Sequence, residues 1–90
     1  MEKIESFFVL QNKKGEYLRM TLFNNFPTFV TKLKFAKKFY SKNEVNNFIN
    51  SDYTEKYSKI INDLELRKVI IKTYINNAQK EFNDWRIENG

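Results

Sequence analysis

The side chains best suited to chemistry lie between Thr31 and Lys42, where Lys32, Lys34, Phe35, Lys37, Lys38, Tyr40 and Lys42 mix cations with rings. Ammonium groups neutralise phosphates and release counterions, and an exposed ring stacks on a base. With Arg19 upstream, the run predicts a basic binding face made of Arg19, Lys32, Lys34, Lys37, Lys38 and Lys42. The competing reading puts Phe39 and Tyr40 in the core and leaves the lysines as a solvated rim. The segment has no glycine-rich RNA-binding strand motif, no zinc-finger spacing and no helix-turn-helix pattern. The chemistry it supports is recognition of an anion rather than bond making.

Other chemistries find few carriers. The chain has no cysteine and no histidine, which removes thiolate nucleophiles, disulfides and the commonest metal ligand and general base. Asp63 and Glu65 diverge on a helix. Glu81 and Asp84 sit among polar residues, where no burial raises a carboxyl for acid–base work. Ser41-Lys42, Ser58-Lys59 and Thr31-Lys32 are adjacent pairs, and adjacent residues on a helix do not face each other. The only glycines are Gly15 and Gly90, so a phosphate-cradling loop is absent. The expectation is a protein that is not an enzyme and uses no metal or cofactor.

Charge sharpens the binding expectation. Residues 1–50 hold nine Lys/Arg against four Asp/Glu, and residues 51–90 hold seven of each, so the first half supplies the whole net charge of +5. An anionic partner fits that asymmetry, although lysines also serve solubility. No apolar run approaches the ~18 residues of a membrane span, and Met1–Phe8 is unlike a signal peptide. A cytoplasmic, membrane-free protein is expected.

The elements that must position these residues follow from pattern. Ser6–Gln11 and Tyr17–Leu22 read as strands joined by a turn at 12–16, with Gly15 placed for a positive φ. Asn24-Asn25 is a second turn. Phe26–Val30 is a short third strand confined to an edge by Pro27. A short helical turn spans Thr31 to Tyr40. Ser41 and Glu44 form a capping box for a helix that turns Val45, Phe48 and Ile49 inward and Asn43, Asn46 and Asn47 outward. Residues 52–61 make another one-sided helix, with Tyr53, Tyr57, Ile60 and Ile61 inward.

The stretch Asp63–Glu88 is the centre of the predicted fold. At helical spacing Leu64, Ile70, Ile71, Tyr74, Ile75, Ala78, Phe82 and Trp85 share one arc, with Asn62 and Glu65 as a cap. Arg67 intrudes on the arc, and Val69 points away from it. Lys68–Ile75 is rich in strand formers, but its two faces read Val-Ile-Thr-Ile and Ile-Lys-Tyr-Asn, a weak alternation, so a helix is preferred. The predicted class is α+β in one domain, 1–90: a β-hairpin region at 1–30, a basic turn and capped helix at 31–50, a helix at 52–61 and a long amphipathic helix at 63–88. The small antiparallel sheet packs against the C-terminal helices. Tyr57, Leu64, Ile71, Ala78 and Trp85 also recur every seven residues beside Ile61, Ile75 and Phe82, so Ile71, Ala78, Phe82 and Trp85 are candidates for self-association of a monomer or homodimer.

The pattern Phe-Phe-Val-Leu-Gln-Asn-Lys-Lys-Gly-Glu-Tyr-Leu at 7–18, followed by Phe-Val-Thr-Lys-Leu-Lys-Phe-Ala-Lys-Lys-Phe-Tyr-Ser-Lys-Asn-Glu-Val-Asn-Asn-Phe-Ile at 29–49, resembles a loose class of small phage and prophage proteins. Val45 departs from it, standing where alanine is usual, and the C-terminal stretch extends beyond it. The resemblance covers about half the chain and carries over no catalytic residue. It implies a non-enzymatic protein in a bacterial host cell that binds a host protein or ribonucleoprotein, as anti-CRISPR-type inhibitors of host defence do. A stand-alone nucleic-acid-binding protein contacting RNA or DNA directly is the alternative, and a dimerising structural phage component the third.

Overall fold

Two asparagines close two hairpins of the sheet. Asn12 Oδ1 accepts from the N–H groups of Lys14 (3.0 Å) and Glu16 (2.8 Å), and Gly15 N–H donates to the Asn12 carbonyl. Asn76 repeats the arrangement: its Oδ1 accepts from Ala78 (3.0 Å) and Lys80 (2.9 Å), and its carbonyl accepts from Gln79. Each loop closes a hairpin with its fourth residue in the left-handed region, Gly15 at φ 82° and Gln79 at φ 59°.

The computed structural model describes residues 2–20, 26–51 and 55–90. These form β1 (Glu2–Gln11), β2 (Tyr17–Met20), β3 (Pro27–Val30), a 3-10 turn at Leu33–Phe35, α1 (Lys42–Ile49), α2 (Ser58–Asn62), β4 (Glu65–Ile75) and β5 (Glu81–Asn89). The strands make one antiparallel sheet in the order β3-β2-β1-β4-β5. Predicted features at Thr21, Leu22, Asn24, Asn25, Asp52 and Tyr53 lie outside the described residues.

This corrects the predicted class. The molecule is mostly sheet, a curled five-stranded half-barrel with short helices, and no long C-terminal helix packs on it. Residues 63–88 supply β4, a turn and β5 instead. β4 is a central strand, hydrogen-bonded to β1 on one side and β5 on the other. Its burial alternates, with Val69 and Ile71 buried on one face and Lys68, Ile70 and Lys72 half-buried on the other, so Ile70 interrupts the polar face and the alternation in the sequence is weak. Val69, the residue that a helix would point outward, is 0% exposed. Asn76–Gln79, inside the supposed helix, is the turn.

The sheet has a core on each face. On face A, Phe7, Val9, Tyr17, Val69 and Ile71 pack with Ala36, Val30 and Leu33. On face B, Leu10 and Leu18 pack with Phe39, Val45 and Ile61, and half-buried Phe8, Phe29, Phe48 and Leu66 close around them. Ser41 Oγ caps α1 by accepting from Glu44 N–H at 3.1 Å. The Glu44 carboxylate accepts from the N–H of Tyr40. Val45 is buried, while Asn43, Asn46 and Asn47 are exposed, as their spacing requires. Pro27 opens β3 at the sheet's edge, where its missing N–H costs no ladder bond.

The segment 37–39 is a wedge. β1 and β2 pair at Gln11–Tyr17. Farther along, Lys37 N–H donates to the Leu18 carbonyl (2.8 Å) on β2. Phe39 exchanges hydrogen bonds with Phe8 on β1, donating at 2.8 Å and accepting at 2.6 Å. The chain therefore passes from face A, where Ala36 is buried, to face B, where Phe39 is buried. The expected helical turn through Tyr40 reduces to Leu33–Phe35, and Tyr40 is 61% exposed. At the other end, Glu2–Ser6, the last residues of β4 and all of β5 form an exposed arm of a molecule measuring 51 × 24 × 23 Å. Among the described residues no helix is long and apolar enough to cross a membrane.

Candidate functional site

Strand alternation decides which cations share a face. On β2, Tyr17 belongs to the face A core, so Arg19, two residues on, points to the same side. The 3-10 turn lies on that side too, through Leu33 and Ala36. Within the wedge, Lys37 and Phe39 point one way and Lys38 the other. Lys37 Nζ lies 5.2 Å from the Phe39 ring centroid and 5.5 Å from that of Phe48, both on face B. Lys38 Nζ lies 4.9 Å from the Phe7 ring on face A.

Face A carries an arc of alternating cations and rings. Phe35, 47% exposed, has Arg19 Cζ at 5.8 Å and Lys34 Nζ at 5.0 Å from its ring centroid. Lys32, Leu33 and Lys34 form one wall of an open cleft of about 350 Å³, and Trp85 forms the other. Trp85, 38% exposed, meets Phe7 edge to face at 6.3 Å, and Phe7 leads to Lys38. Cation–π contacts of this kind hold the charged heads beside the rings without withdrawing them from water. Glu5 bounds the arc, in register with Ile71 and Trp85 across β1, β4 and β5.

The predicted basic face is thus divided. Arg19, Lys32, Lys34 and Lys38 gather on face A. Lys37 lies over the face B rings, and Lys42 opens α1, which packs on face B through Val45. Alternation in the wedge is the cause, because an extended segment sends Lys37 and Lys38 to opposite sides. The sequence reading missed Phe7 and Trp85 as members of the arc. The signal was the period-two pattern Asn83, Trp85, Ile87, masked by the helical assignment.

The proposed self-association seam is also corrected. Ile71 is buried in the face A core, Ala78 lies in the β4–β5 turn, and Phe82 and Trp85 are an odd number of residues apart on β5 and so face opposite ways. A heptad repeat cannot place these four on one surface once the segment is a strand.

Two other hollows carry mixed charge. One lies between the Asn12 turn and α2, with Lys13 and Lys14 beside Glu16 and Asp63. The other joins Lys37, Lys38 and Tyr40 to Glu44. Among the described residues no three Asp or Glu side chains gather as a metal site would require. Face A offers separated cations, two accessible rings and a cleft between them. No protein-family model, no curated protein and no solved structure matches the chain.

Proposed function

We propose that this is a non-enzymatic binding protein that grips the nucleic-acid strand of a nucleoprotein complex with face A. The observation that carries this reading is the arc Arg19–Phe35–Lys34–Lys32–Trp85–Phe7–Lys38, in which two accessible rings, Phe35 and Trp85, sit among four cations and buried Phe7 links Trp85 to Lys38. A base stacking on Phe35 or entering the Trp85 cleft brings its flanking phosphates to Arg19, Lys32 and Lys34, the combination by which proteins hold single strands. The resemblance to small phage proteins adds the setting: the cytoplasm of a bacterial host, with a host-defence nucleoprotein as target and inhibition as the outcome.

Capture of tagged protein from bacterial lysate, with ultraviolet crosslinking before digestion, tests the reading. Crosslinked nucleotides are expected on the peptides containing Phe35 and Trp85, and crosslinks confined to other peptides would sink the site. A defined complex that survives nuclease supports the inhibitor reading. Capture that disappears with nuclease favours the alternative, a protein that binds RNA or DNA by itself.

A further inference from the structure

β5 ends the sheet, and among the described residues nothing pairs with its outer edge. The direction of its backbone groups follows from the pairs that flank it. Gly90 N–H donates to the Leu66 carbonyl and Asn76 N–H to the Lys80 carbonyl, each at 3.1 Å. Both pairs continue the β4–β5 register, which runs unbroken from Arg67–Asn89 to Ile75–Glu81. Hydrogen-bonded pairs alternate in an antiparallel ladder, so the even-numbered residues of β5 turn their N–H and C=O toward β4. Glu81, Asn83, Trp85, Ile87 and Asn89 turn theirs outward.

Exposed edges are normally blunted by lysine, proline, a bulge or short length. Glu81–Asn89 has nine residues, no lysine, no proline and no bulge, and its four charges, Glu81, Asp84, Arg86 and Glu88, are of both signs, so they can pair as well as repel. Phe82, Trp85 and Ile87 are exposed along it. We propose that β5 pairs antiparallel with β5 of a second copy of this chain, about a two-fold axis at Trp85.

Charge and length of overlap together select the register; centring on Ile87 also opposes Arg86 to Glu88 but pairs fewer residues. Outward-facing residues of one strand must meet outward-facing residues of the other, which restricts the allowed slips to steps that preserve this parity. Centred on Trp85, the pairing uses all nine residues and sets Asp84 opposite Arg86 of the second copy, twice by symmetry. These fall at non-hydrogen-bonded positions, where facing side chains are closest. Centred on Asp84, the strands oppose Asp84 to itself. Centred on Arg86, they oppose Arg86 to itself and Asp84 to Glu88. Like charges directly opposite are destabilising, so both neighbouring registers are disfavoured. The strand is complementary to its own sequence, the requirement for an isologous interface. The inference is independent of the nucleic-acid reading. It joins two sheets into one and sets the two Trp85 rings side by side at the rim of the two clefts.

Sedimentation velocity over a rising concentration series tests it, with circular dichroism to confirm folding. The parent chain is expected to reach twice the monomer mass. Asn83→Pro removes an outward N–H and keeps the backbone hydrogen bonds to β4, losing there only the exposed bond that Thr73 Oγ1 donates to Asn83 Oδ1, and Asp84→Arg opposes arginine to Arg86 of the second copy; each is expected to lose the dimer. The exchanged pair, Asp84→Arg with Arg86→Asp, restores opposite charges and is expected to regain it. A parent that stays monomeric throughout, a dimer that both single variants leave intact, or a folded exchanged pair that remains monomeric would overturn the proposal.

Discussion

Replacing Arg19 and Lys34 by Gln removes the two cations that flank Phe35 and leaves the face A core untouched, since both side chains are exposed. The arc presents Arg19, Lys32, Lys34 and Lys38, and a single strand contacting all of them gives a slope of log K against log salt of about −3, at about 0.7 per phosphate contact. Raising salt from roughly 50 to 200 mM then weakens binding about 50-fold. The double variant is expected to halve that slope, to about −1.4. Phe35→Ala acts differently. It removes one stacking platform at about 1–3 kcal/mol, a loss of about 5- to 150-fold, and leaves the slope unchanged. Fluorescence anisotropy of a labelled single-stranded oligonucleotide, titrated at several salt concentrations, separates slope from intercept. A parent slope shallower than about −1, or a double variant with the parent's slope, would refute the assignment of phosphate contacts to these cations.

Three further outcomes follow from the fold. Phe39 is 3% exposed and packs on Phe48 at 5.2 Å, so Phe39→Ala is expected to cost about 3–5 kcal/mol in urea unfolding, a large part of a small domain's stability. A loss below ~1 kcal/mol would mean that the wedge is not packed as described. Gln79→Gly should stabilise the chain by about 0.5–1 kcal/mol by relieving a left-handed residue, and Gly15→Ala should destabilise it by a similar amount; both are read as shifts in denaturation midpoint. Ser41→Ala should cost about 1 kcal/mol through the lost α1 cap, visible in the same assay.

Local chemistry was legible residue by residue. The Asn12–Glu16 turn announces itself by Gly15, the α1 cap by Ser41 and Glu44, and the edge position of β3 by Pro27, because each reports a backbone demand met within a few residues. The matching turn at Asn76 was harder to read, since Gln79 occupies the left-handed position without advertising it. The cations of the arc were also legible as candidates. Lys37 and Lys38 fall in one predicted face because they share one basic run, whereas an extended chain sends neighbours to opposite sides.

The sequence by itself determined a chain without cysteine or histidine, a positive first half and the short-range turns and caps. Tertiary structure alone decided the fate of 63–88. In β4 only Val69 and Ile71 are fully buried, and the residues that alternate with them, Lys68, Ile70 and Lys72, mix charge with an apolar side chain, so the strand pattern is weak and the apolar residues also fit a helical stripe. The pairing of β4 with β1 resolves the ambiguity, and it joins distant residues, from Glu2 with Tyr74 to Gln11 with Glu65. The pairing of β5 with β4 carries Trp85 across from the Lys32–Lys34 turn, and no spacing along the chain records that meeting.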